Sequence, residues 1–301
     1  MGKVNQKSLD LESQEGAFNE AELTPNPELL TSKIPVDKAD AHLGRVYYAK
    51  SDLEEDRSYF YSVTTIIDCL DKGVGFARWL GNSLSYDHAM EYANEAATVG
   101  NMVHAYLMYL VWGEEIDTSK GFYDNNTHQV LPVKNAVKKR LLGFLKFYNE
   151  LKPNVLATEL SLYNDRSYRS KHIYPFAGQV DLVADIGKEK WLIDYKTGKE
   201  YKHSHELQLT AYKILWDSLY GAEYGNIDKL ACLYLSDGWR KGPTYKLVKY
   251  DFVPELWYKT YDLFCYLNGK NGTAAKPRFK KDFPNIYNLN EDNKKEGDSN
   301  E

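Results

Sequence analysis

The segment FAGQVDLVADIGKEKWLIDYKTGK, residues 176–199, holds two apolar runs separated by a glycine-led turn, and the second run ends on an acid, an aromatic and a lysine. Residues 176–186 and 190–197 read as strands, joined through the turn GKE. In a strand, residues two apart share a face, so Asp194 and Lys196 project together while Ile193 and Tyr195 point to the other side. On the preceding strand Val180, Leu182 and Ala184 form one face, and Gln179, Asp181, Val183 and Asp185 the other. A register that joins these faces sets Asp181 close enough to Asp194 to share a ligand.

Adjacent carboxylates on a sheet repel and raise each other's proton affinity unless a cation lies between them. Oxygen ligands of this kind suit Mg²⁺ or Mn²⁺, which use few protein carboxylates and keep waters and substrate phosphate oxygens as the rest of their shell. Lys196 beside such an ion can orient a water for attack on phosphorus.

Outward from this hairpin the chain alternates in type. SVTTIIDCL (62–70) starts as a helix with a Ser or Thr cap, and a helical stretch follows over about 76–97. Residues 99–113 read as a mostly buried helix and 135–151 as an amphipathic one. Beyond the strand at 155–164 and the hairpin come a helix at about 205–220, strands at 230–236 and 244–251, and a closing helix from Pro254 to about Leu267. The expected architecture is mixed α/β, with a helical part over 41–152 and a sheet core over 153–287.

Composition narrows the function. The net charge is −5, but residues 1–40 hold eight acids and four lysines and residues 288–301 five acids and two lysines, which leaves +2 for 41–287. Both ends are polar and without periodicity, so they are expected to be disordered acidic tails. Basic clusters at 137–146 and 277–281 allow a nucleic-acid partner, although a charge run is usually a solvated face. No apolar run reaches the roughly 18–20 residues of a membrane span and no secretory signal is visible, so the expected location is cytoplasmic with no membrane partner. Cys69, Cys232 and Cys265 are too few and scattered for an iron–sulfur cluster, a disulfide framework or a paired-cysteine metal site.

Further polar residues interrupt apolar elements. His104 lies inside an apolar helix where, among its neighbours three and four residues away, only Asn101 carries a polar side chain. Glu159 is flanked by Thr158 and Leu160 on the strand before the hairpin. In HELQLTAYKILW, Gln208 and Tyr212 share a helix face beside the apolar stripe Leu207, Ala211, Ile214 and Leu215.

His104 in VGNMVH, Glu159, AGQVD ending in Asp181, IDYKTG with Asp194 and Lys196, and LQLTAY with Gln208 and Tyr212 resemble, in order, the motifs of RecB-like exonucleases of the PD-(D/E)XK superfamily. The likeness extends to phage-encoded and mitochondrial genome maintenance exonucleases, which also carry an SVT segment like Ser62–Thr64, and it spans about residues 60–250. Val180 stands where the superfamily's proline would be, in the Gly-x-x-Asp form Gly178–Asp181 common among RecB-like members. The resemblance implies a restriction-endonuclease-like core, a mixed central sheet flanked by helices.

It further implies His104, Asp181, Asp194 and the Tyr195 carbonyl as metal ligands for Mg²⁺ or Mn²⁺ and Glu159 as a supporting or DNA-contacting residue; a second ion, if bound, would use Glu159 or substrate oxygens. Lys196 would be the catalytic lysine; Gln208 and Tyr212 would support it or contact DNA, and Ser62, Thr64 and Thr65 would bind substrate. The implied activity is a metal-dependent DNA exonuclease acting at ends or on single strands in recombination, repair or replication, in a phage-infected or bacterial cell, with recombination or replication proteins as partners. Tyr168, Tyr174 and Trp239 are candidates for stacking on bases. Two alternatives stay open: a non-catalytic DNA-binding or recombination-partner protein on this fold, and a structure-specific endonuclease.

Overall fold

The computed structural model describes residues 28–33, 36–49, 59–70, 72–124, 127–164, 175–198, 202–269 and 277–279. The first half contains β1 (Val36–Ala41), β2 (Gly44–Ala49), β3 (Phe60–Ser62), α1 (Val63–Ile67), α2 (Gly73–Gly81) and α3 (Tyr86–Val111). A small hairpin of β4 (Phe122–Asp124) and β5 (Gln129–Leu131) leads to α4 (Asn135–Leu151). The second half contains β6 (Asn154–Tyr163), β7 (Phe176–Ile186), β8 (Glu189–Lys196), α5 (Lys202–Leu219), α6 (Gly221–Tyr224), β9 (Lys229–Leu235), β10 (Tyr245–Tyr250) and α7 (Pro254–Asn268).

The main sheet is mixed, in the order β1-β2-β3-β7-β8-β9-β10, with β6 branching off to pair with β7. β7 is its hub: antiparallel to β6 and β8, and parallel to β3 at its first two residues. The β7–β8 turn needs only Gly187 and Lys188, because Gly187 adopts φ +65°, a left-handed conformation that costs glycine little. β8 and β9 run parallel, and such a pair needs a crossover, here α5.

Each face of the sheet buries its own core. On one side Leu207, Ala211 and Leu215 of α5, Ile66 of α1 and Trp257 and Tyr261 of α7 pack with Val180, Val183 and Leu192. On the other, Val103 and Tyr106 of α3 and Leu141, Phe144 and Phe147 of α4 pack with Leu182, Ile193 and Tyr195. The result is a restriction-endonuclease-like α/β fold, a mixed sheet flanked by helices.

Three expectations change. The helix break falls at Asn82–Ser85, where the Ser85 side chain accepts the His88 amide as an N-cap, and not near residue 98; residues 86–111 form one helix. Gly100 lies inside it, with Thr197 Oγ1 3.4 Å from where a β-carbon would stand, an ordinary contact distance. The first half also supplies three strands to the main sheet, so the sheet is not confined to residues 153–287. β1 begins at Val36, inside the segment assigned to an acidic tail, and the Leu30 amide donates to Leu156 O. Residues 1–27 and 288–301 lie outside the described residues. None of the described helices is long and apolar enough to cross a membrane.

Gly143 of α4 faces the end of the sheet, where an added β-carbon would sit 2.7 Å from the Thr244 carbonyl oxygen. Gly143→Ala is therefore expected to destabilise the fold by about 1–3 kcal/mol in urea unfolding, although alanine is worth about 1 kcal/mol more than glycine in an unconstrained helix.

Candidate active site

The site forms where β7 and β8 part. Their ladder ends at Leu182–Ile193, and beyond it the Tyr195 amide donates to Asp181 Oδ2 at 2.6 Å. That bond fixes the Asp181 carboxylate between the strands, 6% exposed at residue level. The alternation expected along β7 is interrupted here: Val180 packs in the same core as Val183, while Leu182 packs in the other.

Across from Asp181, Glu159 of β6 has φ +49°, a conformation that side-chain-bearing residues rarely adopt. The Gln179 side-chain amide holds it by donating to Glu159 Oε2 at 2.6 Å and to its carbonyl at 3.2 Å. Lys38 of β1 donates in turn to Gln179 Oε1. From the helical side α3 delivers His104, whose Nδ1 lies 3.3 Å from Glu159 Oε1 and 3.4 Å from Asp181 Oδ1. The imidazole thus finds its polar partners on two strands and not on its own helix.

Asp194 turns to a second group of residues. Its Oδ2 lies 2.5 Å from Lys196 Nζ, confirming that the two side chains share a face of β8. Lys196 Nζ donates to Gln208 Oε1 at 2.9 Å, and Gln208 Nε2 donates to the Tyr212 hydroxyl at 3.0 Å. The one-turn spacing of Gln208 and Tyr212 on α5 makes that relay. Gly178 leaves room for it, since an added β-carbon would lie 2.3 Å from Tyr212 Cε1.

The electrostatics follow from burial. Burial alone would lower the His104 imidazole, but the Asp181 and Glu159 carboxylates outweigh it and hold the ring well above its ordinary value. Burial raises the Asp194 carboxyl against the opposing pull of Lys196, and the nearby Asp181 charge adds to the rise. Lys196, which burial would lower, is held above its usual value by Asp194 and stays an ammonium group.

His104, Glu159 and Asp181 offer donor atoms within 4.8 Å of one another. Ligands bound about 2.1 Å from a shared ion would lie up to about 4 Å apart, so a small contraction fits them around a divalent cation. The donor set agrees with the charge: two acids crowding one imidazole leave negative charge that a cation neutralises. Asp194 stands outside this trio.

Ser62, Thr64 and Thr65 are not equivalent. Thr65 Oγ1 donates to the Arg45 carbonyl at 3.0 Å, so in the 2.8 Å contact between Ser62 Oγ and Thr65 Oγ1 serine is the donor. Ser62 Oγ also accepts the Thr65 amide as the N-cap of α1. Both hydroxyl protons are therefore used internally, and in the 2.9 Å contact between Ser62 Oγ and Thr64 Oγ1 threonine is the donor, so exposed Thr64 lines the cleft with its own proton held by Ser62.

All these groups except Thr65 line one cavity of about 1130 Å³. The cavity is also lined by Lys38 of β1 and Arg45 and Tyr47 of β2, residues that sequence reasoning missed because both strands are only six residues long. The continuous apolar and aromatic run Val46–Ala49 was the signal that could have found β2. Burial raises the Tyr47 phenol to about 12, so it remains a neutral hydroxyl.

The basic cluster at 137–146 is partly turned inward. Arg140 donates to the Thr197 carbonyl and lies 3.1 Å from Asp237 Oδ2, and Lys139 sits 5.2 Å above the Trp239 ring. Trp239 thereby has a cationic partner and does not line the cleft. Tyr168, Tyr174 and residues 280–281 lie outside the described residues.

Comparison with known families decides the class. The family described as the PD-(D/E)XK nuclease superfamily matches residues 79–251, more than half of the sequence. The chain belongs to the PD-(D/E)XK nuclease superfamily. Membership implies nuclease hydrolase activity, and nucleases of this superfamily use divalent metal ions. No curated protein matches. Among solved structures, the one titled "Crystal structure of SSO0001" is 13% identical, with 46% of this chain and 63% of that chain covered and a TM-score of 0.28.

Two expectations concern this site. A divalent ion must displace the proton that the raised value keeps on His104, so Mn²⁺ affinity should climb with pH up to that value and level off above it. In calorimetry below that pH, binding is expected to release a proton, and His104→Ala should lose the release together with about tenfold or more in affinity; heats independent of the buffer would remove His104 from the ligand set. Gly178→Ala should displace Tyr212, lowering kcat along with about 1–3 kcal/mol of stability.

Proposed function

We propose that this nuclease is a metal-dependent DNA exonuclease that hydrolyses phosphodiester bonds at DNA ends or on single strands. The observation that carries the reading is the placement of the His104–Glu159–Asp181 trio beside the Asp194–Lys196 pair in one cleft. His104, Glu159 and Asp181 would hold Mg²⁺ or Mn²⁺, with Asp194 and the Tyr195 carbonyl completing the protein ligands and Glu159 serving a second ion if two are used. The bound ion supplies Lewis acidity at the scissile phosphate and lowers the cost of deprotonating water.

The chain's own groups do the rest. Lys196 is an ammonium with no lone pair to accept a proton, so it works as a donor that orients the attacking water and stabilises negative charge on phosphoryl oxygens. Gln208 fixes the height of that ammonium, and Tyr212 fixes Gln208. Arg45, on the same cleft, suits a neighbouring phosphate, and Thr64 would join it by releasing its bond to Ser62. Arg45 has no carboxylate within ion-pair distance among the described residues, which leaves its charge for a ligand.

The order of motifs resembling RecB-like exonucleases supports a role in recombination, repair or replication, including in a phage.

The test compares wild type, Lys196→Ala and Asp181→Ala on end-labelled linear, single-stranded and covalently closed circular DNA, with Mg²⁺, Mn²⁺ or EDTA. Wild type should degrade linear DNA only with metal and leave circles intact, and each variant should be slower by about 10²-fold or more. Unchanged cleavage by both variants would sink the mechanism. Nicking of circles would make the protein an endonuclease, and metal-independent binding without cleavage a non-catalytic DNA-binding protein.

A further inference from the structure

The chain has six tryptophans, and five have identifiable ring partners. Trp79 packs on Phe76, Trp216 stacks on Tyr220 and Trp257 meets Phe176 edge to face, while Lys249 lies over Trp191 and Lys139 over Trp239. Trp112 is different. Half-buried at the C-cap of α3, it has no aromatic or cationic partner and no side-chain hydrogen bond among the described residues, and it alone of the six lines the active-site cavity.

Its position on α3 relates it to the reaction. Gly100, Asn101, His104, Met108 and Trp112 recur at helical spacing and all line the cavity. Trp112 lies eight residues beyond His104, about 12 Å along the helix axis at 1.5 Å per residue. Met108, one turn back, and Phe122 of β4 make that end of the cleft apolar, whereas Lys38, Arg45 and Thr64 belong to strands and helix on the other wall. Asp124, on the strand of Phe122, also lines the cavity and would repel a phosphate while leaving an uncharged base unaffected.

We infer that Trp112 is a stacking platform for one unpaired base of a single DNA strand whose scissile phosphate sits at the His104–Glu159–Asp181 trio. An indole face backed by Met108 gives every base the same π-surface, so the subsite sets strand register without selecting sequence. The inference rests on the proposed nuclease reading and adds the nucleotide that the reading leaves unassigned.

A set of single-stranded oligonucleotides, each with one abasic residue at a successive position, tests it with wild type, Trp112→Ala and Trp112→Phe in Mg²⁺. Wild type should lose about 5- to 150-fold in kcat/KM at one position or two adjacent positions, the span of one base–aromatic stack. Trp112→Ala should show that loss on the intact strand and become indifferent to the abasic residue, while Trp112→Phe recovers most of the rate. If alanine impairs folding by thermal melt, Trp112→Leu takes its place with the same expectation. A variant that cuts like wild type, or that still loses activity at the same abasic position, overturns the subsite. Wild-type cleavage indifferent to every abasic position overturns it while the nuclease reading stands, and wild type inert on all DNA overturns both.

Discussion

At the point where β7 and β8 diverge, the Tyr195 amide is met by the Asp181 carboxylate, and this 2.6 Å bond couples the fold to the site. It requires the two strands to stay in register up to Leu182–Ile193 and then to open. The opening makes room for His104 and Glu159 to approach the same carboxylate. A fully zipped hairpin would have left Asp181 an ordinary strand residue. Tyr195 serves both sides of this arrangement, because its ring is packed between His104 and Phe144 while its backbone holds the acid.

From that junction two chains of polar contacts run in opposite directions. One passes from His104 through Glu159 and Gln179 to Lys38 at the sheet edge; the other passes from Asp194 through Lys196 and Gln208 to Tyr212 on α5. Each buried charge therefore has an opposite charge or a dipole within reach, which burial demands. Together they tie α3, four strands and α5 to one small volume, so a disturbance in any of these elements reaches the reacting groups.

The hairpin and the shared face of Asp194 and Lys196 were legible in the sequence because a two-residue period with a glycine turn admits few alternatives; the register stayed open, and the expected face of Val180 failed where the alternation breaks. The Gln208–Tyr212 pair was legible for the same kind of reason, its one-turn spacing. What stayed hidden has physical causes. VDKADA in β1 reads as polar tail because edge strands carry lysine and aspartate on a solvated surface. Ser85 was overlooked as a cap because the apolar run beginning at Val99 masks a helix whose first half is solvent-exposed. The role of Glu159 as a partner of His104 depends on a contact 55 positions apart and on a backbone twist that no local pattern encodes.

That twist has a further cost. Holding a glutamate in left-handed backbone geometry sacrifices about 1–2 kcal/mol that glycine would not lose. A sequence optimised purely for robustness would put glycine at position 159, and would give up the acid that faces His104. The molecule thus carries an internal trade-off at one peptide unit: its most strained acidic residue is also one of the three that converge on a prospective cation, so attempts to harden this protein against heat should leave that residue alone.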